Sequence, residues 1–369
     1  MNPAITFASE EGDIYKFTLS NINVSLANAI RRVVLSEIPT LAFFTETYDD
    51  NQCSIPINNS RLHNEILKQR LSCIPIHMTD LDVLPGNYVM ELDLQNETDT
   101  MMIVTTEHFR IRNKSNNNYL TKDEVRKIFP PHPKTNSFID FARLRPMIGD
   151  TIPGEQLKIS AEFSIRTAKE SSTFNVVSKC AYGNTPDRLK ANQIWDELEN
   201  VSRSEQMTQD EIDTQKINFY LLDAHRHFTA DSFDFVIQTV GVYENKNIVK
   251  MACAVLQKKL NELILAFDSG AVPILNSETT IDYSFDIILE NEDYTIGKVL
   301  EYILYEQYYV REKIFTFCGF KKFHPHNTES TIRIAYIDKQ NADKQMAAQH
   351  LRLACVKAIE IFKKVYELF

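Results

Sequence analysis

Only nine glycines punctuate these 369 residues, and none is grouped into a phosphate-cradling loop, so P-loop and dinucleotide fingerprints are excluded. Neither a G-x-S-x-G elbow nor a nucleophilic Cys/His signature occurs, which removes the common hydrolase readings. The six cysteines, Cys53, Cys73, Cys180, Cys253, Cys318 and Cys355, are scattered without a Cys-x-x-Cys pair, and no His-x-x-x-His stands at ligand spacing. They read as small buried hydrophobes in a reducing compartment. No apolar run approaches the roughly 18 residues of a membrane span, and MNPAITFASEEGD lacks the basic and apolar regions of a signal peptide. An intracellular protein without membrane attachment is expected. Positive charge is short as well: 40 Lys and Arg against 50 Asp and Glu give a formal net charge of -10. That balance argues against broad non-specific binding to phosphate backbones, so any involvement with DNA or RNA is expected to be indirect. The close histidine pairs, His225 with His227 and His324 with His326, have no third ligand at telling spacing and read as loop histidines. No catalytic residue, cofactor site or metal site is expected.

What is present is enough apolar content for two or three packed domains, since 43% hydrophobic and 24% charged residues suit an ordinary globular chain. The stretch NVSLANAIRRVVLSEIPT (23–40) sets Leu26, Ala29, Ile30, Val33 and Val34 on one continuous helical stripe. Asn23 or Ser25 can cap its start, and Pro39 ends it by pushing Ile38 out of the helical region. Arg31 and Arg32 lie beside the stripe. Two readings are open for them: a solvated polar face, or a fork of donors aimed at a carboxylate or backbone carbonyl of a partner.

An internal repeat enlarges the picture. YKFTLSNINVSLANAIRRVV (15–34) lies over FDIILENEDYTIGKVLEYIL (285–304) at an offset of 270 residues without a gap. Tyr15, Phe17 and Leu19 alternate like Phe285, Ile287 and Leu289, a half-buried strand in both copies. Asn21 and Asn23 match Asn291 and Asp293 as turn formers, Ser25 matches Thr295, and the stripe recurs as Ile296, Val299, Leu300, Ile303 and Leu304. Each copy is followed downstream by a long amphipathic helix, one over 248–267 and one over 347–368. Between them, FDSGAVPILNSETT reads as a linker, placed at 269–280. The fold class expected is α+β: two related strand–helix modules packed about a pseudo-twofold axis, as in a dimer joined covalently. Leu26, Ile30 and Val33 of the first copy should then share a core with Ile296, Leu300, Ile303, Leu351 and Phe362 of the second. Glu301 and Tyr302 stand opposite Arg31 and Arg32, so whatever the arginines do belongs to one half.

NVSLANAIRRVVLSEIPTLA, followed by SRLHNEILKQRLSCIPIHM (60–78), resembles the assembly component of multisubunit RNA polymerases: the bacterial alpha type, the archaeal D type, and the third-largest component of eukaryotic polymerase II. The pattern N-x-x-R-R-x-x-x-x-x-x-P-T is met by Asn28, Arg31, Arg32, Pro39 and Thr40. L-x-x-E-x-L-x-x-R-x-x-x-I-P is met by Leu62, Glu65, Leu67, Arg70, Ile74 and Pro75, with Ser72 where the family usually has glycine. The second copy is similar to the small partner of that component, the archaeal L type or the eleventh component of polymerase II. NEDYTIGKVLEYIL (291–304) matches its helix start, with Tyr294 for histidine and Lys298 for asparagine, and CGFKKFHPHNTESTIRI (318–334) matches its following segment. Both halves in one chain resemble the polymerases of large cytoplasmic DNA viruses. The resemblance is close over 14–78 and 281–369, partial over 154–182, and thin between.

The resemblance implies a discontinuous first module (1–78 and 154–268), a mainly β insert (79–153), and a second module (281–369). Strand patterns NYVMELDL (87–94) and TMMIVTTEHF (100–109), the turn NKSNNN (113–118) and the Pro-rich 129–146 fill the insert, and 186–230, with the acidic helix pattern ANQIWDELENVSRSEQMTQDEIDTQKI, reads as a charged, solvent-facing excursion. It implies a non-catalytic platform within a nucleotidyltransferase complex, one copy per polymerase. The two largest subunits would be docked, second-largest first, through Asn28, Arg31, Arg32, Arg61, Glu65 and Arg70, with small polymerase subunits as further partners. If viral, the chain would work in the host cytoplasm and be packaged in the virion. The alternative is a free-standing scaffold or transcription regulator that borrows the dimerisation fold.

Overall fold

The computed structural model describes every residue except Thr47, Asp150, Thr279 and residues 339–341. The chain opens with β1 (Ala4–Glu11), β2 (Ile14–Ser20), α1 (Val24–Ser36), β3 (Thr40–Ala42), β4 (Cys53–Asn58) and α2 (Asn64–Ser72). Then come β5 (Tyr88–Gln95), β6 (Met102–Thr105), β7 (Arg110–Asn113), α3 (Lys122–Ile128), β8 (Asp140–Leu144), β9 (Gln156–Glu162) and β10 (Ser164–Arg166). They are followed by β11 (Val177–Pro186), α4 (Arg188–Ser204), α5 (Gln209–Leu221), β12 (Phe228–Thr239) and α6 (Asn245–Asp268). The last run is β13 (Ile274–Asn276), β14 (Ser284–Glu290), α7 (Tyr294–Leu304), β15 (Phe315–Lys321), β16 (Glu329–Tyr336) and α8 (Lys344–Glu367). Among the described residues no helix is long and apolar enough to cross a membrane.

These elements form two compact units. The first takes Met1–Val34, Lys179–Gln238 and Asn245–Phe369. It holds two antiparallel sheets, ordered β1-β2-β12-β11 and β13-β14-β16-β15. On β2 the alternation expected from the sequence buries Tyr15, Phe17 and Leu19, and Phe17 stacks on its register partner Phe235 at 5.1 Å. On β14 the same alternation buries Phe285, Ile287 and Leu289. The turns leaving the two strands agree in backbone: Asn21 and Asn291 both take left-handed φ, 57° and 59°, a conformation asparagine tolerates better than branched residues. Both helices are capped alike. Asn23 Oδ1 accepts the Ser25 amide and Asp293 Oδ1 accepts the Thr295 amide, each at 2.8 Å.

The long helices α6 and α8 pack against each other, and α8 also packs on α7. Each carries a buried Ala-Cys pair, Ala252–Cys253 and Ala354–Cys355, whose small side chains permit close approach of the helices. Burial pushes the Cys253 and Cys355 thiols up to about 12, so both stay protonated near neutral pH. Leu26, Ile30, Val33, Ile296, Leu300, Ile303, Leu351 and Phe362 are all buried. At Gly297 in α7, an added Cβ would stand 2.1 Å from the Phe320 ring, so helix and strand β15 meet there with no space for a side chain. The stretch at 186–230 is largely exposed and helical. It folds as helices α4 and α5 with a small apolar cluster of Ala191, Trp195, Ile212 and Phe219, because its apolar residues recur at helical spacing within the charged pattern.

The second unit comprises Leu35–Ser178 and Thr239–Glu244, and so takes in more chain than the insert expected at 79–153. The reason lies in its main sheet, ordered β4-β9-β5-β7: strands on either side of the expected insert, β4 and β9, hydrogen-bond into the same sheet as β5. Leu67, Leu71, Met90, Phe109, Phe129 and Phe141 belong to its core. The linker expected at 269–280 is also partly structured, since Ile274–Asn276 adds β13 antiparallel to β14; Thr279 lies outside the described residues. Ser72 needs no glycine-like backbone. It is the last residue of α2, its hydroxyl bonds Gln69 O at 2.8 Å, and Cys73 follows at φ -84°.

Gly297→Ala should cost about 1–3 kcal/mol by overpacking against Phe320, read from the urea midpoint. A pH effect is also expected. Burial holds the His350 imidazole below its ordinary value, with Nδ1 3.0 Å from the Tyr336 hydroxyl. The unfolded chain takes up a proton near pH 6.5 where the folded one does not, so this stability is complete above that value and lost as pH falls. Melting midpoints should decline below about pH 6.5, and the gap between wild type and His350→Gln should narrow on acidification.

Candidate functional site

Arg31 and Arg32 share a half-buried helix face but do different things. The Arg31 Nε donates to Asn28 Oδ1 at 2.9 Å, one turn back, which joins two of the expected interface residues into a pair. Its charge reaches β11, where burial raises the Cys180 thiol to about 12 and Arg31 acts the other way. Arg32 reaches 261 residues along the chain. Its Nε donates to Thr295 Oγ1 and its Nη2 to Asp293 Oδ2, both at 2.9 Å. The donor fork read from the sequence therefore meets a carboxylate of this same chain. Asp293 serves two purposes at once, capping α7 through Oδ1 and pairing with Arg32 through Oδ2.

The preceding residue completes a clasp. Glu292 Oε2 lies 3.1 Å from Lys259 Nζ of α6, and both side chains are largely buried, at 10% and 16% exposed. Glu292 also faces Cys355 of α8, whose thiol is raised first by burial and further by that carboxylate. Two consecutive acids before α7 thus receive cations from α1 and α6. The sequence carried a signal for this: Asp293 stands where the first copy has the neutral Asn23, and Glu292 where it has the apolar Ile22.

The remaining expected interface residues lie in the other unit. Arg61 and Glu65 are exposed at and before the start of α2. Arg70, in the last turn, gives Nε to Phe141 O and Nη2 to Asp140 O, both at 2.7 Å, and so ties α2 to β8 without spending its charge on a carboxylate. The structure joins Asn28 with Arg31, and Arg32 with Asp293, within the first unit.

Nothing among the described residues forms a group of three or more His, Cys, Asp and Glu side chains able to hold a metal. His324 and His326 are exposed, and the His324 Nδ1 accepts the His326 amide at 3.2 Å, a turn contact. His227 stacks on Phe219 beside α5.

Residues 16–260 match the family model described as the RNA polymerase Rpb3/Rpb11 dimerisation domain. The archaeal DNA-directed RNA polymerase subunit Rpo3 of Methanosphaera stadtmanae is 23% identical over 282 residues, covering 67% of this chain and 92% of that protein. Subunit 3B of DNA-directed RNA polymerases IV and V of Arabidopsis thaliana is 39% identical over 74 residues, 20% of this chain and 21% of its own length. Subunit RPB3 of DNA-directed RNA polymerase II of Schizosaccharomyces pombe is 35% identical over 81 residues, 22% of this chain and 25% of its own length. These two eukaryotic relatives are therefore matched over a quarter of their length or less, and the archaeal one over nearly all. The match to the family model spans well over half of the chain, which belongs to that family.

A double-mutant cycle with Arg32→Ala and Asp293→Asn should give a coupling energy of about 1 kcal/mol, as suits a half-exposed charge-assisted pair. Asp293→Ala should cost more than Asp293→Asn, since asparagine keeps the cap that Asn23 provides in the first copy. Lys259→Met should cost about 3 kcal/mol because Glu292 stays buried without its cation. Chemical denaturation of the purified chain reads all three.

Proposed function

We propose, from membership of this family, that the chain is a non-catalytic assembly subunit of a DNA-directed RNA polymerase that carries both members of a dimerisation pair on one polypeptide. The second strand–turn–helix stretch lies beyond residue 260, where the family match ends, so the fusion rests on the repeat itself. The observation that supports it best is the clasp: Arg32 and Lys259, from the part matched to the family, hold Asp293 and Glu292 at the start of the second copy's helix. In this reading the two copies are related by a pseudo-twofold axis, with α6 and α8 as the equivalent long helices.

The outer faces serve as the platform. Asn28 and Arg31 on α1, with Arg61, Glu65 and Arg70 around α2, dock the large catalytic subunits, the second-largest first. Arg32 acts mainly within the chain, holding the helix that presents Arg31. Small polymerase subunits bind alongside, one copy of the chain enters each polymerase, and DNA and RNA are met only through the assembled enzyme. The chain itself performs no chemistry. By its resemblance to fused viral polymerase components, it works in the host cytoplasm and travels in the virion.

Affinity purification through a tagged chain, with Arg31→Glu against wild type, tests this. The wild type should bring down the two largest polymerase subunits; Arg31→Glu should keep the melting midpoint and lose most of the second-largest. A wild-type chain eluting alone and apart from polymerase activity would instead mark a free-standing scaffold or regulator.

A further inference from the structure

The second unit carries a positively charged cleft that includes two of the proposed docking residues, Arg61 and Arg70, and that the clasp does not use. About 590 Å³ in volume, it is lined by Arg61, Arg70, Arg143 and Arg145 together with only two carboxylates, Asp140 and Glu155. On a chain with a formal charge of -10, four guanidinium groups converge here around two acids. The acids do not neutralise them evenly. Glu155 is committed to Arg145, taking its Nε at 2.6 Å and its amide at 2.7 Å. Asp140 stands 3.7 Å from Arg143, too long for a good hydrogen bond, and the Arg143 side chain is 66% exposed. Arg70 is spent on backbone carbonyls, which fix its position but leave its charge unbalanced. Arg61 is exposed at the edge.

The surface beside these arginines is aliphatic. Met101 lines the cleft and is 57% exposed. Ile103 of β6 sits directly across the ladder from Arg143 of β8 and is 48% exposed. Past β8 the chain adds Met147, Ile148 and Ile152, all exposed, with Ile148 and Ile152 bridged across a turn. An exposed apolar patch beside a surplus of charges of one sign marks an interaction site, and the surplus specifies what it attracts. Exposed arginines pair with carboxylates or with phosphates. Sequence-tolerant binding of single strands relies on aromatic platforms for base stacking. The exposed side chains here are methionine and isoleucine, which favours an acidic protein segment over nucleic acid.

We propose that this cleft and the β6–β8 face receive an acidic, aliphatic segment of another polymerase subunit, its carboxylates on Arg61, Arg70 and Arg143 and its apolar side chains on Met101 and Ile103. The assignment rests on the polymerase reading above and gives the docking surface around α2 its partner chemistry. Arg143, which no sequence pattern singled out, becomes a specificity-determining residue of that surface.

Conservative variants in the intact complex test it. Arg61→Lys and Arg143→Lys keep the charge and supply an amine that a carbodiimide joins to any carboxylate it touches. After treatment of the complex purified through this chain, peptide mass spectrometry should find both positions joined to Asp or Glu of one polymerase subunit, in a segment that also carries aliphatic residues. The double variant Arg61→Glu and Arg143→Glu should keep the melting midpoint while retention of that subunit in a salt wash drops by about tenfold. Polymerase subunits that co-purify without such cross-links, or cross-links confined to Asp140, would overturn the inference and leave the polymerase reading standing. Retention of the subunit unchanged by charge reversal would overturn it equally. A chain that brings down no polymerase subunits at all would overturn both together.

Discussion

Two adjacent acids, Glu292 and Asp293, organise the first unit, because two helices far away in sequence each deliver a cation to them. Taking a lysine and a glutamate almost out of water is costly, and their attraction offsets that cost only when they meet in good geometry. Such a pair adds little net stability over an apolar contact, but it penalises every arrangement in which one charge is buried alone. The matched positions of the first copy make this directional: Ile22 is apolar and fully buried, Asn23 is neutral, and Tyr302 stands where Arg32 has its counterpart. Two like halves brought together would offer either acids without cations or cations without acids. Unlike halves satisfy both.

Much of this architecture was legible in the sequence. The helical stripe of α1, its recurrence in α7 and the strand alternation before each depend on local periodicity, and the structure places those residues in the core. Asn21 and Asn291 were readable as turn formers because asparagine tolerates the left-handed backbone that both adopt. The use of Arg32 was not legible, although a carboxylate target was one of its two open readings, because nothing in a single sequence specifies a contact across 261 residues. The bounds implied by the resemblance differ from those of the compact units. The second unit takes in more chain because β4 pairs with β9 and β9 with β5, a long-range register that strand patterns alone do not reveal. The linker lost three residues to β13, whose Ile274 and Leu275 find partners only once β14 is in place. The helical character of α4 and α5 was legible in their acidic pattern, whereas the small cluster of Trp195 and Phe219 between them was not.

Under the proposed reading, carrying both partners of a dimerisation pair on one chain would replace a bimolecular step with an intramolecular one, with the connection between them setting a high effective concentration. In that reading the asymmetric clasp would favour one orientation of the halves, beside the packing of α6 on α8.

The most direct test of the claim that one polypeptide supplies the whole pair is native mass spectrometry of the intact polymerase purified through this chain. The account predicts a single copy of the chain per complex, with the two largest subunits and no separate small dimerisation partner. Two copies per complex, or a separate small partner seated on this one, would contradict it.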